Sequence, residues 1–299
     1  MPKENTHLWF AYSMLGRSIG ADMLRTVSSH LSSYLLGSVM PDTFYYSPRR
    51  ELVSISETFH GRDGNPTNTL VFKVLDAGPD QADLAFVLGF LTHCALDIAF
   101  HPVVYFLTGN YYDPDPARKA QAVRLHRRLE TSLDAGLSHG FMLHRIIRPW
   151  HTRGLALEAI LARDFGARAL DVRCALARQA AFNLAFRSAA LYRVAVWASR
   201  RTRAVPQEAL GLFYADAGDA RFPETIEAQD LVVGAPYTTS AGELFDKAGR
   251  HAAAMMNAAW AFACGRTTRR ELEEAIPGAS LDTGMVGVSV AQVRHTSAP

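Results

Sequence analysis

The sequence predicts an all-α fold, a single domain of many helices packed as a bundle. Apolar residues recur at three- and four-residue spacing along most of the chain, while strand-type alternation is scarce. Hydrophobic residues make up 48% of the 299 positions, enough for a sizeable core. No internal repeat and no low-complexity linker divides the chain.

Residues 6–26 place Leu8, Trp9, Tyr12, Leu15 and Ile19 on helical spacing, with Thr6 positioned as a cap. Residues 28–38 read as a short second helix, stopped near Met40-Pro41 because a residue before proline avoids the helical region. Residues 43–81 hold Gly61, Gly64, Pro66, Gly78 and Pro79 and read mostly as loop with helical pieces. A loop that long in a compact domain is usually either functional or a misassigned run of helix or strand. Residues 82–107 form a strongly apolar helix with a break expected at Pro102, and the DPDP run at 113–116 starts a helix over 117–137. Further helices are expected at 140–149, 154–165 and 170–202, with 214–238 irregular. Ser240 and Glu243 form a capping box for a helix reaching about Cys264. The helical domain is expected to span 1–270, leaving 271–299 as a C-terminal tail.

The formal charge is +2, and no basic run of five stands out. Proteins that hold a nucleic-acid backbone carry a stronger basic footprint, so no stable nucleic-acid partner is expected. Cys94, Cys174 and Cys264 are odd in number and lack CxxC spacing, which argues against a disulfide framework and fits a reducing compartment. Glu4 and His7 interrupt the region where a secretory signal would be apolar. With no run of 18 apolar residues, no transmembrane helix is expected, and the chain reads as cytoplasmic.

The apolar helix 82–107 belongs in a core, yet it carries His93, Asp97 and His101 at spacings of four and four. Four residues advance a helix by about 6 Å and slightly more than one turn, so the three side chains share one stripe. Burying a carboxylate beside two imidazoles is costly unless each finds a partner. A metal ion supplies one, since it takes deprotonated carboxylate and neutral imidazole. A His-x-x-x-Asp pair alone fits a hydrogen-bonded buried pair better than a metal site; His101 on the same stripe brings the two readings about level. The next helix repeats the spacing with His126 and Glu130. Alone, these fit a solvated face, given Arg124, Arg127 and Arg128 beside them. Ligand pairs on two consecutive helices favour a shared metal site, because antiparallel neighbours face each other. His7 near Trp9, Asp42 after Pro41, and His60 in ETFHGRDG complete the candidates.

In order along residues 5 to 265, this set resembles the zinc-dependent phospholipase C family, which shares its fold with fungal single-strand nucleases. Asn5 to Trp9 is similar to the family's first ligand segment, Gly37 to Tyr46 to its Pro-Asp segment, and Phe59-His60 to its loop histidine. His93-x-x-x-Asp97 with His101 is similar to its core helix, His126-x-x-x-Glu130 to its closing pair, and Pro236 to Ser240 to its later chain. The resemblance implies a multinuclear zinc centre of two to three ions. His60, His93 and Asp97 would hold one, and His101, His126 and Glu130 a second, with Asp97 near both. His7 would help hold a third, with Asp42 as shared ligand or general base.

Departures from the family are visible. The secreted phospholipases begin with a Trp whose free amine completes the third site; here Met1 stands six residues before His7, so the metal count is expected nearer two than three. The interval from Asp97 to His101 is shorter, and Thr43 stands where an aromatic helps line the choline pocket. No membrane-binding β-sandwich fits in the chain.

The implied activity is phosphodiester hydrolysis by metal-activated water on a phosphate-ester small molecule or phospholipid headgroup, with Asp42 orienting that water or taking its proton. Phe44, Tyr45, Tyr46, Phe59 and Phe72 are candidates to wall the pocket, although aromatics at such density more often simply fill a core. His30, His139, His144, His151, His251 and His295 fall outside the ordered set and are not expected to be ligands. Three rivals remain at this level: a nuclease on the same cluster, an enzyme repurposed to another small molecule, and a metal-stabilised binding protein. Other divalent metals also suit His and carboxylate ligands.

Overall fold

The computed structural model describes residues 3–297 except 18, 138–139, 203 and 219–221. The all-α class holds. The N-terminal region is two helices rather than one, α1 (Glu4–Met14) and α2 (Ala21–Ser29). α1 ends shortly before Gly16 and α2 starts just after Gly20, and glycine has low helix propensity. α3 (Leu31–Gly37) and α4 (Met40–Thr43) follow, the latter with Pro41 in its first turn. The stretch expected to be mostly loop is mostly short helix: a 3-10 turn at Phe44–Tyr46, α5 (Arg50–Phe59) and α6 (Thr69–Asp76). Leu52, Ile55 and Phe59, then Leu70, Val71 and Val74, do bury on helical spacing. Each run is about two to three turns, and the intervening glycines and prolines mask it.

α7 (Gln81–Thr108) runs unbroken through Pro102, and the Asp80 carboxylate caps it by accepting from the Ala82 and Asp83 N–H groups at 2.8 Å each. Pro102 donates no hydrogen bond, so the helix passes it without the rung to Ile98. Gly284, at φ +71°, lies against the Ile98 carbonyl there. α7 is long and apolar enough to cross a membrane, but here it is buried along nearly its whole length within the protein.

α8 (Pro116–Leu137) begins behind an Asp115 cap. α9 (Leu143–Ile146), a 3-10 turn at Pro149–Thr152 and α10 (Ala156–Phe165) come next. The single helix expected over 170–202 is α11 (Ala169–Ala185) and α12 (Ala189–Arg201), because Ser188 caps a new helix start by accepting from the Leu191 N–H. After a 3-10 turn at Gln207–Leu212 and α13 (Tyr214–Ala217), the region expected to be irregular holds an antiparallel hairpin of β1 (Ile226–Gln229) and β2 (Pro236–Thr239). Ile226 pairs with Thr239 and Gln229 with Pro236, a register too short to leave a readable alternation. Ser240 and Glu243 cap α14 (Ala241–Ala263) as expected. The segment beyond 270 carries α15 (Arg269–Ala275) and then returns to the core, where Leu281 is fully buried.

α7 is the axis of the molecule. α14 and α3 pack along it, and α1, α6 and α8 close round it. The α3–α7 crossing is very close. A Cβ on Gly37 would stand 2.1 Å from the Phe86 carbonyl oxygen, and one on Gly89 1.8 Å from that of Tyr34. Only glycine at both positions lets the two backbones touch.

Candidate metal centre

The structure brings the eight sequence candidates together. His7 comes from α1, Asp42 from α4, and His60 from the C-terminal end of α5. His93, Asp97 and His101 line one stripe of α7, and His126 and Glu130 come from α8. None is more than 5% exposed. Asp97 is central. Its Oδ1 lies 3.3 Å from His7 Nε2 and 3.8 Å from His101 Nε2; its Oδ2 lies 3.1 Å from His93 Nε2 and 3.6 Å from His60 Nε2. Asp42 Oδ1 lies 3.3 Å from His60 Nε2 and 3.8 Å from His93 Nε2. At the α8 end, Glu130 Oε1 lies 2.9 Å from His126 Nε2 and 3.7 Å from His101 Nε2. Donor atoms thus gather as three triads: His7, His93 and Asp97; Asp42, His60 and His93; and His101, His126 and Glu130.

The donors fit a cation. The Nε2 atoms of His7, His60, His93 and His101, both Asp97 oxygens and Asp42 Oδ1 are buried without a hydrogen-bond partner. A native interior rarely leaves one such atom unpaired, and here seven face one another. Two ligands bonded to one tetrahedral zinc at its usual bond lengths stand about 3.3–3.6 Å apart, close to most of the separations seen.

The opposite ring nitrogens are occupied. His60 Nδ1 donates to the Ser56 carbonyl at 2.7 Å, His93 Nδ1 to that of Ser38 at 2.9 Å, and His101 Nδ1 to that of Leu281 at 2.9 Å. Each backbone bond places the proton on Nδ1 and leaves Nε2 as a lone pair aimed at the centre. The His7 and His93 rings stack at 3.8 Å.

Burial pushes His7, His101 and His126 toward the neutral imidazole that ligation needs. Burial alone would raise Asp97, but the imidazoles of His101, His93 and His7 hold its carboxyl well below the usual range. Burial also works against protonating His60, yet Asp42 and Asp97 beside it raise its pKa to about 10. Two carboxylates facing His60 favour a positive charge at that point, which a cation can supply in place of a proton on the ring.

The centre floors a cleft of about 360 Å³. Tyr45 and Tyr46 line it as expected. Phe44 and Phe59 do not; both are buried in the core, where Phe59 packs edge-on to Phe90. Phe72 lies under the Arg269 guanidinium instead. The cleft wall is completed by Tyr105, Tyr111 and Tyr112, from the end of α7 and the loop after it. In the sequence these are indistinguishable from core aromatics.

Asp282 is a further member of the site, absent from the sequence candidates. This buried carboxylate lies 3.5 Å from His101 Nδ1, hydrogen-bonds with Tyr105 and faces the cleft. It arrives on the returning C-terminal segment, which is pinned by Leu281 N–H to His60 O at 2.9 Å and Thr67 Oγ1 to Ala279 O at 2.8 Å. In LDTG the residue reads as a turn aspartate, and no local signal distinguishes it.

His144 pairs with Asn183 at 3.1 Å, and His30, His151, His251 and His295 belong to none of the triads. His139 lies outside the described residues, as do Met1 and Pro2.

Fold and site together define a class: a predominantly helical protein whose core gathers a cluster of His and carboxylate side chains suited to binding metal. The family model for zinc dependent phospholipase C matches residues 6–191, and the chain belongs to this family. No curated protein and no solved structure matches it. The matched span contains all eight candidate ligands and ends well before Asp282.

Proposed function

We propose that this chain hydrolyses a phosphate diester at the buried centre, in the manner of a phospholipase C. The observation that carries this reading is the set of seven unpartnered donor atoms converging under a cleft. His60, His93 and Asp97 would hold one ion and His101, His126 and Glu130 a second, with Asp97 reaching toward both. His7, facing Asp97 and stacked on His93, would serve a third position. Zinc bound there supplies a Lewis acid for phosphoryl oxygens and lowers the pKa of water at the site.

The chain's own groups do the rest. Asp42 stands at the cleft floor, 2% exposed, with Oδ1 unpaired. In this reading it would orient the attacking water and accept its proton. Arg127 sets a positive charge on the cleft wall against the anionic diester, and its guanidinium is steadied by the Tyr111 hydroxyl at 3.0 Å. The tyrosines lining the cleft would limit bulk water around a bound diester, which strengthens each charge interaction within.

Metal analysis of the purified protein beside a panel of chromogenic phosphodiesters, phosphomonoesters and single-stranded DNA tests the reading. Hydrolysis of diesters, lost together with the metal in Asp97→Ala, is the expected result. Unchanged zinc content in Asp97→Ala would overturn the ligand assignment, and preference for single-stranded DNA would overturn the substrate class.

A further inference from the structure

Helix α12 is unusual because it is apolar on two faces. Its inner face packs Ala195, Tyr192 and Val196 into a small satellite core with Phe186, Leu210 and Phe213. Its outer face carries Leu191 (47% exposed), Val194 (60%) and Trp197 (60%). These three recur at three-residue spacing, so they form one stripe that nothing among the described residues covers. A surface helix normally turns polar groups outward. Isolated exposed apolar residues are ordinary, but a contiguous stripe with an indole in it marks an interaction surface.

The charge beside the stripe selects the partner. Residues 187–206 contain five arginines and no acidic residue. Of these, Arg193, Arg200 and Arg201 are exposed on α12 along and just past the stripe. A second copy of the chain would bring two such arginine sets together and be repelled. A surface that takes an indole and two aliphatic side chains while presenting dense negative charge at their level is the interface of an anionic lipid bilayer.

The location adds a functional reason. Tyr46 and Leu212 pack on the satellite core under α12 and also line the cleft. Helix and cleft wall thus share one small core.

We propose that α12 docks the protein on anionic membranes, Trp197, Val194 and Leu191 entering the headgroup boundary and the arginines lying against lipid phosphates. Docking would offer a phospholipid to the cleft, a consequence that rests on the hydrolase reading above, whereas the docking itself does not.

The test is co-sedimentation of the full-length, zinc-loaded protein with phosphatidylcholine vesicles, with and without phosphatidylglycerol. Binding to the phosphatidylglycerol vesicles should exceed binding to phosphatidylcholine alone and weaken with added salt. Replacing Arg193, Arg200 and Arg201 by Gln should weaken it by about fivefold per arginine. The double variant Val194→Ser/Trp197→Ser should abolish it while leaving hydrolysis of a soluble diester unchanged. Trp emission should shift to the blue on binding, and Trp197→Phe should bind without that shift. Equal binding by the Val194→Ser/Trp197→Ser variant, or no binding by the wild type, overturns the proposal. So does Trp197-dependent dimerisation without vesicle binding, which would make the stripe a protein interface. Vesicle binding by a protein that cleaves no phosphate ester would remove the hydrolase reading and leave the docking intact.

Discussion

Replacing Gly89 by Ala tests whether the metal centre depends on the closeness of α3 to α7. The added Cβ would stand 1.8 Å from the Tyr34 carbonyl oxygen, 2.8 Å from its carbon and 3.2 Å from the Ser38 nitrogen. These are backbone atoms, so no side chain can swing aside and the helices must part. Overpacking a core costs about 1–3 kcal/mol where side chains adjust, and a backbone clash falls at or above the upper end. Alanine in a helix interior returns about 1 kcal/mol of propensity over glycine. The net loss is about 2 kcal/mol, or roughly 4 °C in Tm for a domain of this size. The shift also reaches the site, because α3 runs directly into Ser38, whose carbonyl holds His93 Nδ1 at 2.9 Å. Loosening such an outer partner lowers metal affinity by about 10- to 100-fold. Thermal unfolding in chelator isolates the packing loss, and zinc titration of the native protein reads the site. A Gly89→Ala protein with wild-type Tm in chelator and wild-type zinc affinity would refute this account of the crossing.

Three further outcomes follow from the same geometry. Asp42→Asn keeps the shape but loses the proton acceptor, so zinc content should stay close to wild type while diester hydrolysis falls by about 10²- to 10⁴-fold; near-full activity would remove Asp42 from the chemistry. Asp282→Asn withdraws negative charge 3.5 Å from His101 Nδ1, and the most weakly held metal equivalent should dissociate at least about tenfold more readily; equal retention would make Asp282 a bystander. Burial lowers the Lys3 pKa from 10.5 to about 8, so between those values the unfolded chain binds more protons than the folded one. The wild type should therefore gain stability relative to Lys3→Met as pH climbs from about 8 to about 10.5, read by urea unfolding across that window; parallel pH profiles for the two proteins would contradict the burial of this amine.

The sequence by itself determined the helical class, the buried identity of 82–107 and the eight converging side chains. The physical reason is that burial and ligation write conflicting demands on the same helix. A stripe of His93, Asp97 and His101 in an otherwise apolar segment has few explanations, and the same spacing at His126 and Glu130 narrows them further. Tertiary structure decided the rest. Helix ends at Met14 and Ala185 depend on where a cap or a glycine competes with continued helix, a balance of about a kilocalorie that spacing does not resolve. Whether Phe59 or Tyr112 walls the cleft depends on packing between distant segments, since both are aromatic beside polar neighbours. Asp282 lay beyond reach for the same reason: 181 residues separate it from His101, and only the return of the C-terminal segment across α7 makes them neighbours. Nothing local to LDTG encodes that return. It is set by bonds from Thr67 and Leu281 to carbonyls far away in the chain.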